Sequence, residues 1–287
     1  GQPLADSIAT VHVVVQPPLW KRDWFRAVCL LALALLIYSI VRIREQRARI
    51  AREHLERKLE ERTLELKTKK EEIEAKNKDI TDSINYAQRI QQAILPQQET
   101  LTDQFPNAFI IFRPRDIVSG DFYWFRRFGS KFILACADCT GHGVPGAFMS
   151  MIGSMLLREV SADQNVRSPD VLLHNLDKEL QTVLQYQAED QSSHDGMDIS
   201  LCEIDGESRK LRFAAAMQDV IIIHDGQMLR ERGSRRSIGG VLTSGMQQDF
   251  DMTEVQLVPG DRIYLFSDGV PDQFGGPKGK KMKVSGI

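Results

Sequence analysis

Cysteine is scarce in this sequence, and neither sign of charge dominates it. Four cysteines in 287 residues, Cys29, Cys136, Cys139 and Cys202, form no disulfide framework, which favours a reducing compartment. With 37 Lys and Arg against 39 Asp and Glu, the formal net charge is -2. That balance argues against a nucleic-acid binder that works by neutralising phosphates. The 42% hydrophobic content is that of a folded protein.

Glycine and proline are missing from residues 42–95. Because Glu, Lys, Arg, Leu and Ile dominate this stretch, we expect one long helix that Pro96 ends. One apolar stripe recurs every seven residues, at Leu59, Leu66, Ile73, Ile80, Ala87 and Ile94. The second seam position is apolar only at its two ends, Leu55 and Ile90. We therefore predict a weak parallel coiled-coil homodimer over residues 43–95, with a solvated single helix as the alternative.

Charge is nearly absent from residues 24–41, where Arg26 is the exception. At about 1.5 Å per helical residue the stretch reaches roughly 27 Å, which spans a bilayer. Trp20 and Trp24 lie where interfacial aromatic residues belong. Five arginines crowd the other end, at Arg42, Arg44, Arg47, Arg49 and Arg52. We expect a single-pass inner or cell membrane helix over residues 20–42 with its C-terminal side in the cytoplasm; a core helix or signal peptide is the alternative.

Residues 1–19 have the pattern of the last strand of a separate domain. Val11, Val13 and Val15 share one face of an alternating run that a Pro-Pro pair ends. The chain also begins at Gly1 rather than at methionine. We expect a fragment whose upstream part is an extracytoplasmic sensor.

The remainder, residues 96–287, is predicted to be α+β. Apolar or alternating runs predict strands at residues 108–113, 121–128, 131–137, 197–204, 210–215, 219–224, 253–258 and 261–267. Two longer runs, 145–159 and 168–187, predict helices. Short turns such as Asp225-Gly226 separate the later strands. Strands, then helices, then strands with short connections indicate an antiparallel β-sandwich flanked by helices.

Three aspartates stand at the ends of apolar strands, two of them directly beside a glycine and the third, Asp138, three residues before one. They are Asp121 in SGDFYW, Asp138 in ACADCTGHG and Asp268 in YLFSDGV. A single Asp-Gly pair is usually a turn, but a carboxylate at a strand end costs desolvation. Three such carboxylates are compatible with burial if they converge on divalent cations.

Five segments resemble, in order, the SpoIIE-like branch of the PPM-type metal-dependent protein phosphatases. They are RPRDIVSGDFYWF, ILACADCTGHGVPGAFMSMIG, DGMDISLCEID, RRSIGG and PGDRIYLFSDGVPD. The resemblance covers roughly residues 105–275 and implies two antiparallel sheets between helices, with two Mn²⁺ or Mg²⁺ ions at one edge. It also implies a serine/threonine protein phosphatase, in which the two ions activate a water for in-line attack on phosphorus.

The resemblance assigns roles by motif. Asp138 would bridge both ions, Asp121 would bind one of them directly or through water, and Asp268 would bind the other. The backbone carbonyl of Cys139 would take a further position. His142 is a candidate general acid, although its spacing from Asp138 differs from that of the corresponding histidine in related phosphatases.

The sequence also departs from the family pattern. It ends at Ile287 after GGPKGKKMKVSGI, without the final acidic pair that supplies a further ligand to the ion held by Asp268. We therefore expect the domain at 96–287 to be incomplete at its C-terminus, and weak or inactive. Asp195 and Asp198 could touch a third ion, but a turn or edge role is favoured.

The function predicted from the sequence is the cytoplasmic output of a membrane receptor, hydrolysing phosphoserine or phosphothreonine on a protein. The family resemblance suggests an antagonist of an anti-sigma factor as substrate. The alternative is a catalytically inactive module that binds a phosphoprotein.

Two other motifs indicate alternative functions, dinucleotide binding and zinc or redox chemistry. Gly141, Gly143 and Gly146 spell GxGxxG between a strand and a helix, as in dinucleotide sites. However, Asp138 occupies the strand end where a pyrophosphate needs positive potential. Cys136-x-x-Cys139 has no second cysteine pair, so a buried thiol and a loop residue are favoured over zinc or redox chemistry.

Overall fold

The computed structural model describes residues 18–162, 168–185, 195–240, 249–275, 277 and 279–283. The strand predicted near residues 10–16 lies outside them. The chain divides into two units, Gly1–Asn77 and Lys78–Ile287. A short 3-10 turn at Leu19–Lys21 precedes the first long helix.

Helix α1 runs without a break from Asp23 to Ile94, which confirms the helix predicted from the absence of glycine and proline. Its apolar N-terminal part is long enough to cross a membrane, and the side chains there are exposed. Ion pairs one turn apart support the middle of the helix, as Glu65 with Lys69 at 2.7 Å and Glu72 with Lys76 at 2.6 Å.

Three helices and ten strands follow α1 in the described residues. The helices are α2 (Gln98–Gln104), α3 (Gly143–Val160) and α4 (Pro169–Gln185). The strands are β1 (Phe122–Phe128), β2 (Lys131–Cys139), β3 (Met197–Asp205), β4 (Lys210–Ala216), β5 (Asp219–His224), β6 (Gln227–Arg232), β7 (Met252–Gln256), β8 (Arg262–Leu265), β9 (Phe274–Gly275) and β10 (Lys280–Lys281).

The strands form two main sheets and a small hairpin. The larger sheet has the order β1-β2-β3-β4-β7, the second β6-β5-β8, and β9 pairs with β10. Every pairing between these strands is antiparallel. The α+β class with antiparallel sheets and a preceding long helix is therefore confirmed.

Alternation along the central strands produces two apolar layers. On β3, Leu201 faces a cluster that includes Leu157 of α3 and Leu176 of α4, so the helices cover one face of the large sheet. Its neighbour Cys202 faces a second cluster with Ile222 of β5, between the two sheets. Because the side-chain period of a strand is two, one register serves both layers.

The strand predicted at residues 108–113 is wrong. The segment is extended, but among the described residues it pairs with no strand. Its alternation arises from packing: Ala108 and Ile110 lie against the Leu101 and Phe132 cluster, while Phe109 is exposed. Alternation identifies an extended chain on an apolar surface, and that need not be a hydrogen-bonded strand.

Strand β6 was not predicted. Its six residues, QMLRER, are mostly exposed and carry little apolar signal. It forms because Asp225 and Gly226, at φ 48° and 76°, make the tight turn that returns the chain along β5.

Candidate functional site

The two sheets bring Asp121, Asp138 and Asp268 together. Asp121 immediately precedes β1, whose first residue Phe122 pairs with Ala137, so Asp121 lies beside Asp138 near the end of β2. Asp268 follows β8 of the other sheet. The Ser267 hydroxyl donates a hydrogen bond of 2.6 Å to the Asp121 carboxylate and joins the two sheet ends.

The carboxyl groups are close enough to perturb one another. Burial, and then the negative charges of Asp121 and Asp268, raise the pKa of Asp138 to about 8, and both neighbours also hydrogen-bond it. Three carboxylates on a partly desolvated sheet edge repel one another unless a proton or a cation compensates them. Their oxygen donors fit a hard divalent cation such as Mn²⁺ or Mg²⁺.

A fourth carboxylate, Asp198, lies directly opposite Asp138 in the β2 and β3 register. The pKa of Asp198 is raised, chiefly by burial. The hydrogen bond from Ser237 lowers it in part, and the charge of Asp268 raises it further. The sequence reading favoured a turn or edge role for this residue. Strand pairing would have revealed its position, but the sequence alone does not give the register.

Asp195 takes part in a different contact. Its carboxylate accepts a long hydrogen bond of 3.5 Å from the Thr140 hydroxyl. The Thr140 hydroxyl in turn accepts a hydrogen bond from the Gly196 N–H. These bonds close the loop after β2 onto the start of β3.

Cys139 contributes no thiolate. Burial, and then the charges of Asp138, Asp121 and Asp198, raise the pKa of its thiol. Burial, and then the charges of Asp121 and Asp138, raise the pKa of the Cys136 thiol to about 12. Neutral thiols of this kind are poor zinc ligands and poor nucleophiles. Within the described ranges, no group of three or more His, Cys, Asp and Glu side chains is arranged so that it could hold a metal ion as it stands.

His142 stands at the mouth of this loop as the residue before α3. Its side chain is 78% exposed, and Nδ1 lies 3.6 Å from the Asp116 carboxylate. The structure thus gives the candidate general acid an acidic neighbour in the RPRD segment, outside the group of three aspartates.

The GxGxxG glycines serve backbone packing. A Cβ at Gly146 would lie 2.6 Å from the Gly141 carbonyl oxygen, and one at Gly120 would lie 3.0 Å from the same oxygen. The loop before β1, the loop after β2 and the start of α3 therefore meet backbone to backbone. This close approach holds the loop that carries Asp121 against the loop that follows Asp138 at the end of β2.

Similarity to known proteins agrees with this architecture. The chain resembles the SiaA-PP2C domain of Pseudomonas aeruginosa, with 34% identity and a TM-score of 0.64 over 73% of this chain and 80% of that chain. It also matches the PP2C phosphatase domain of SpoIIE from Bacillus subtilis, with 21% identity and a TM-score of 0.45 over 54% and 43% of the two chains. The fold and the similarity to the SiaA-PP2C domain thus identify a PP2C-type phosphatase domain.

The family model for Stage II sporulation protein E (SpoIIE) matches residues 129–284. The chain therefore belongs to the SpoIIE family. No curated protein sequence is significantly similar to it.

Proposed function

We propose that this chain is a metal-dependent phosphoserine and phosphothreonine protein phosphatase whose site is formed by Asp121, Asp138 and Asp268. The observation that carries the proposal is the convergence of three carboxylates at one sheet edge: the β1 and β2 register places Asp121 beside Asp138, and Ser267, the neighbour of Asp268, donates a hydrogen bond to Asp121. Such a group of like charges is expected where cations are to be held.

Four oxygen donors would hold the ions: the carboxylates of Asp121, Asp138 and Asp268, and the backbone carbonyl of Cys139. Asp138, which contacts both Asp121 and Asp268, would serve both Mn²⁺ or Mg²⁺ ions, and the backbone carbonyl of Cys139 would add a further oxygen ligand. When bound, such ions supply Lewis acidity that lowers the pKa of water and neutralises phosphoryl oxygens.

The protein's own groups orient this set. Ser267 fixes one oxygen of Asp121 by donating to it at 2.6 Å, and the carboxylate oriented in this way would serve as a ligand. His142, which is exposed and lies 3.6 Å from Asp116, would be the general acid that donates a proton to the leaving serine oxygen.

A membrane-bound, dimeric setting is part of the proposal. The apolar start of α1 supports a single membrane span, with the arginines after it supporting a cytoplasmic phosphatase domain. The heptad stripe supports a parallel homodimer. A phosphoprotein, such as an antagonist of an anti-sigma factor, is the proposed substrate by family resemblance.

The test is release of phosphate from a phosphoserine peptide by the detergent-solubilised chain, with Mn²⁺ titrated in and EDTA as the blank. Asp138→Asn is expected to lower turnover by more than about 100-fold, because changing even an outer-shell partner of a metal ligand costs 10- to 100-fold and this residue serves both ions. His142→Ala is expected to lose far less.

Two results would contradict these assignments. Equal losses for the two variants would remove the distinct roles given to Asp138 and His142. Binding of the phosphopeptide without any Mn²⁺-dependent hydrolysis would instead support the inactive phosphoprotein-binding module.

A further inference from the structure

Among the residues of α1, the one buried side chain is polar. Gln91, near the end of the helix, is 3% exposed. A buried amide costs free energy unless its donors and acceptor are satisfied. The apolar stripe of the same helix is exposed by comparison, with Ile80 at 57%.

Gln91 uses both ends of its amide on the loop before β1. Its Nε2 donates to the Ser119 carbonyl oxygen at 2.6 Å, and its Oε1 accepts from the Ser119 N–H at 3.1 Å. The side chain thus holds both backbone groups of one residue, as a neighbouring strand would. The same Nε2 also donates to Ser150 of α3 at 2.7 Å.

Ser119 transmits this restraint toward the acidic site. Its hydroxyl accepts a hydrogen bond of 3.0 Å from the backbone N–H of Asp121. Ser150 strengthens the junction, since its hydroxyl lies 3.1 Å from the Ser119 carbonyl oxygen. A continuous chain of hydrogen bonds therefore leads from the end of α1 to Asp121.

We infer that Gln91 is a positioning residue that sets the Asp121 loop for metal binding. The inference rests on the proposed metal-dependent function. Gln91 acts through the backbone: it fixes Ser119, and Ser119 fixes the backbone from which the Asp121 carboxylate projects. Partners that orient a metal ligand control affinity in this way.

The test replaces Gln91 with methionine, which keeps the volume and removes all three hydrogen bonds. Ile222→Val is the matched control, because Ile222 is fully buried between the sheets and its truncation lowers stability without touching the Ser119 loop. Ser150→Ala removes the bond from Gln91 Nε2 to the Ser150 hydroxyl and the contact of that hydroxyl with the Ser119 carbonyl oxygen, and it leaves both bonds between Gln91 and Ser119.

Two readouts are measured on the full chain in detergent. Mn²⁺ binding, by electron paramagnetic resonance of free Mn²⁺, is expected to weaken about 10- to 100-fold in Gln91→Met, less in Ser150→Ala, and not at all in Ile222→Val. In the wild-type protein the Gln91 hydrogen bonds hold the Asp121 loop even without metal. In the metal-free protein, hydrogen exchange at the Asp121 amide is therefore expected to accelerate in Gln91→Met and in neither of the other variants.

The outcomes separate the two proposals. If wild-type protein binds Mn²⁺ and Gln91→Met binds it equally well, the positioning role is wrong while the phosphatase proposal stands. An equal loss of Mn²⁺ binding in Ile222→Val would reduce the effect to general stability and also overturn the role. If the wild-type chain binds no Mn²⁺, the proposed function fails, and the inference with it.

Discussion

At the scale of single residues, one buried ion pair links α4 to the segment at residues 236–239. Arg236 donates to the Asp177 carboxylate of α4, and both side chains are below 10% exposed. Asp177 also accepts from the Gly239 N–H at 2.7 Å. The pair therefore ties α4 to the segment that carries Ser237, the hydrogen-bond donor to Asp198.

We expect Arg236→Met to destabilise the domain by about 3–5 kcal/mol, because it leaves a buried carboxylate without its countercharge. The guanidinium also stacks 4.5 Å from the Phe250 ring centroid, and methionine keeps part of that packing. Urea denaturation followed by near-UV circular dichroism measures the loss. The double variant Asp177→Asn with Arg236→Met removes the uncompensated charge but keeps an oxygen acceptor for the Gly239 N–H, and it is expected to recover most of the loss; failure to recover would locate the loss in packing rather than in charge.

At the scale of elements, the start of α3 shows why glycine stands where alanine would favour a helix. Alanine is better than glycine in a helix interior by about 1 kcal/mol. At Gly146, however, its Cβ would lie 2.6 Å from the Gly141 carbonyl oxygen and 3.1 Å from the Gly120 Cα. Backbone atoms on two loops would have to move.

Gly146→Ala is accordingly expected to cost about 1–3 kcal/mol, the usual range for overpacking, and to weaken Mn²⁺ binding, because one of the loops that move carries Asp121 and the other follows Asp138 at the end of β2. Gly153→Ala is the matched comparison on the same helix. Its Cβ would meet side chains, Met197 at 2.7 Å and Phe122 at 3.1 Å, which can yield without shifting a loop. Thermal melts and Mn²⁺ titrations of both variants test this, and a greater metal-binding defect in Gly153→Ala would contradict it.

At the scale of the whole molecule, α1 presents its apolar stripe to solvent in a single chain. Leu59 and Leu66 are each 68% exposed, which is costly unless a second copy covers them. Arg62 and Lys69 occupy the other seam position and pair with Glu65 of their own helix. That combination suits a weak dimer.

Single cysteines introduced along residues 55–94 are expected to crosslink most strongly at the stripe positions, such as Leu59 and Leu66, and weakly two residues away at Glu61 and Thr68. The background carries Cys29→Ser, because the native Cys29 is exposed. Disulfide yield after mild oxidation in membranes is the measurement. A yield without the seven-residue period would favour a solvated single helix.

The sequence by itself determined the long helix, the α+β order of elements and the three strand-end aspartates, because periodicity, helix-breaking residues and turn chemistry are local properties. The tertiary structure decided what depends on register and packing. The structure pairs Asp198 with Asp138 and bonds Gln91 to Ser119, and both contacts join residues far apart in the chain. The segment at 108–113 pairs with no described strand because of what surrounds it. No local pattern encodes which strand lies beside which, so only the folded chain could reveal those contacts.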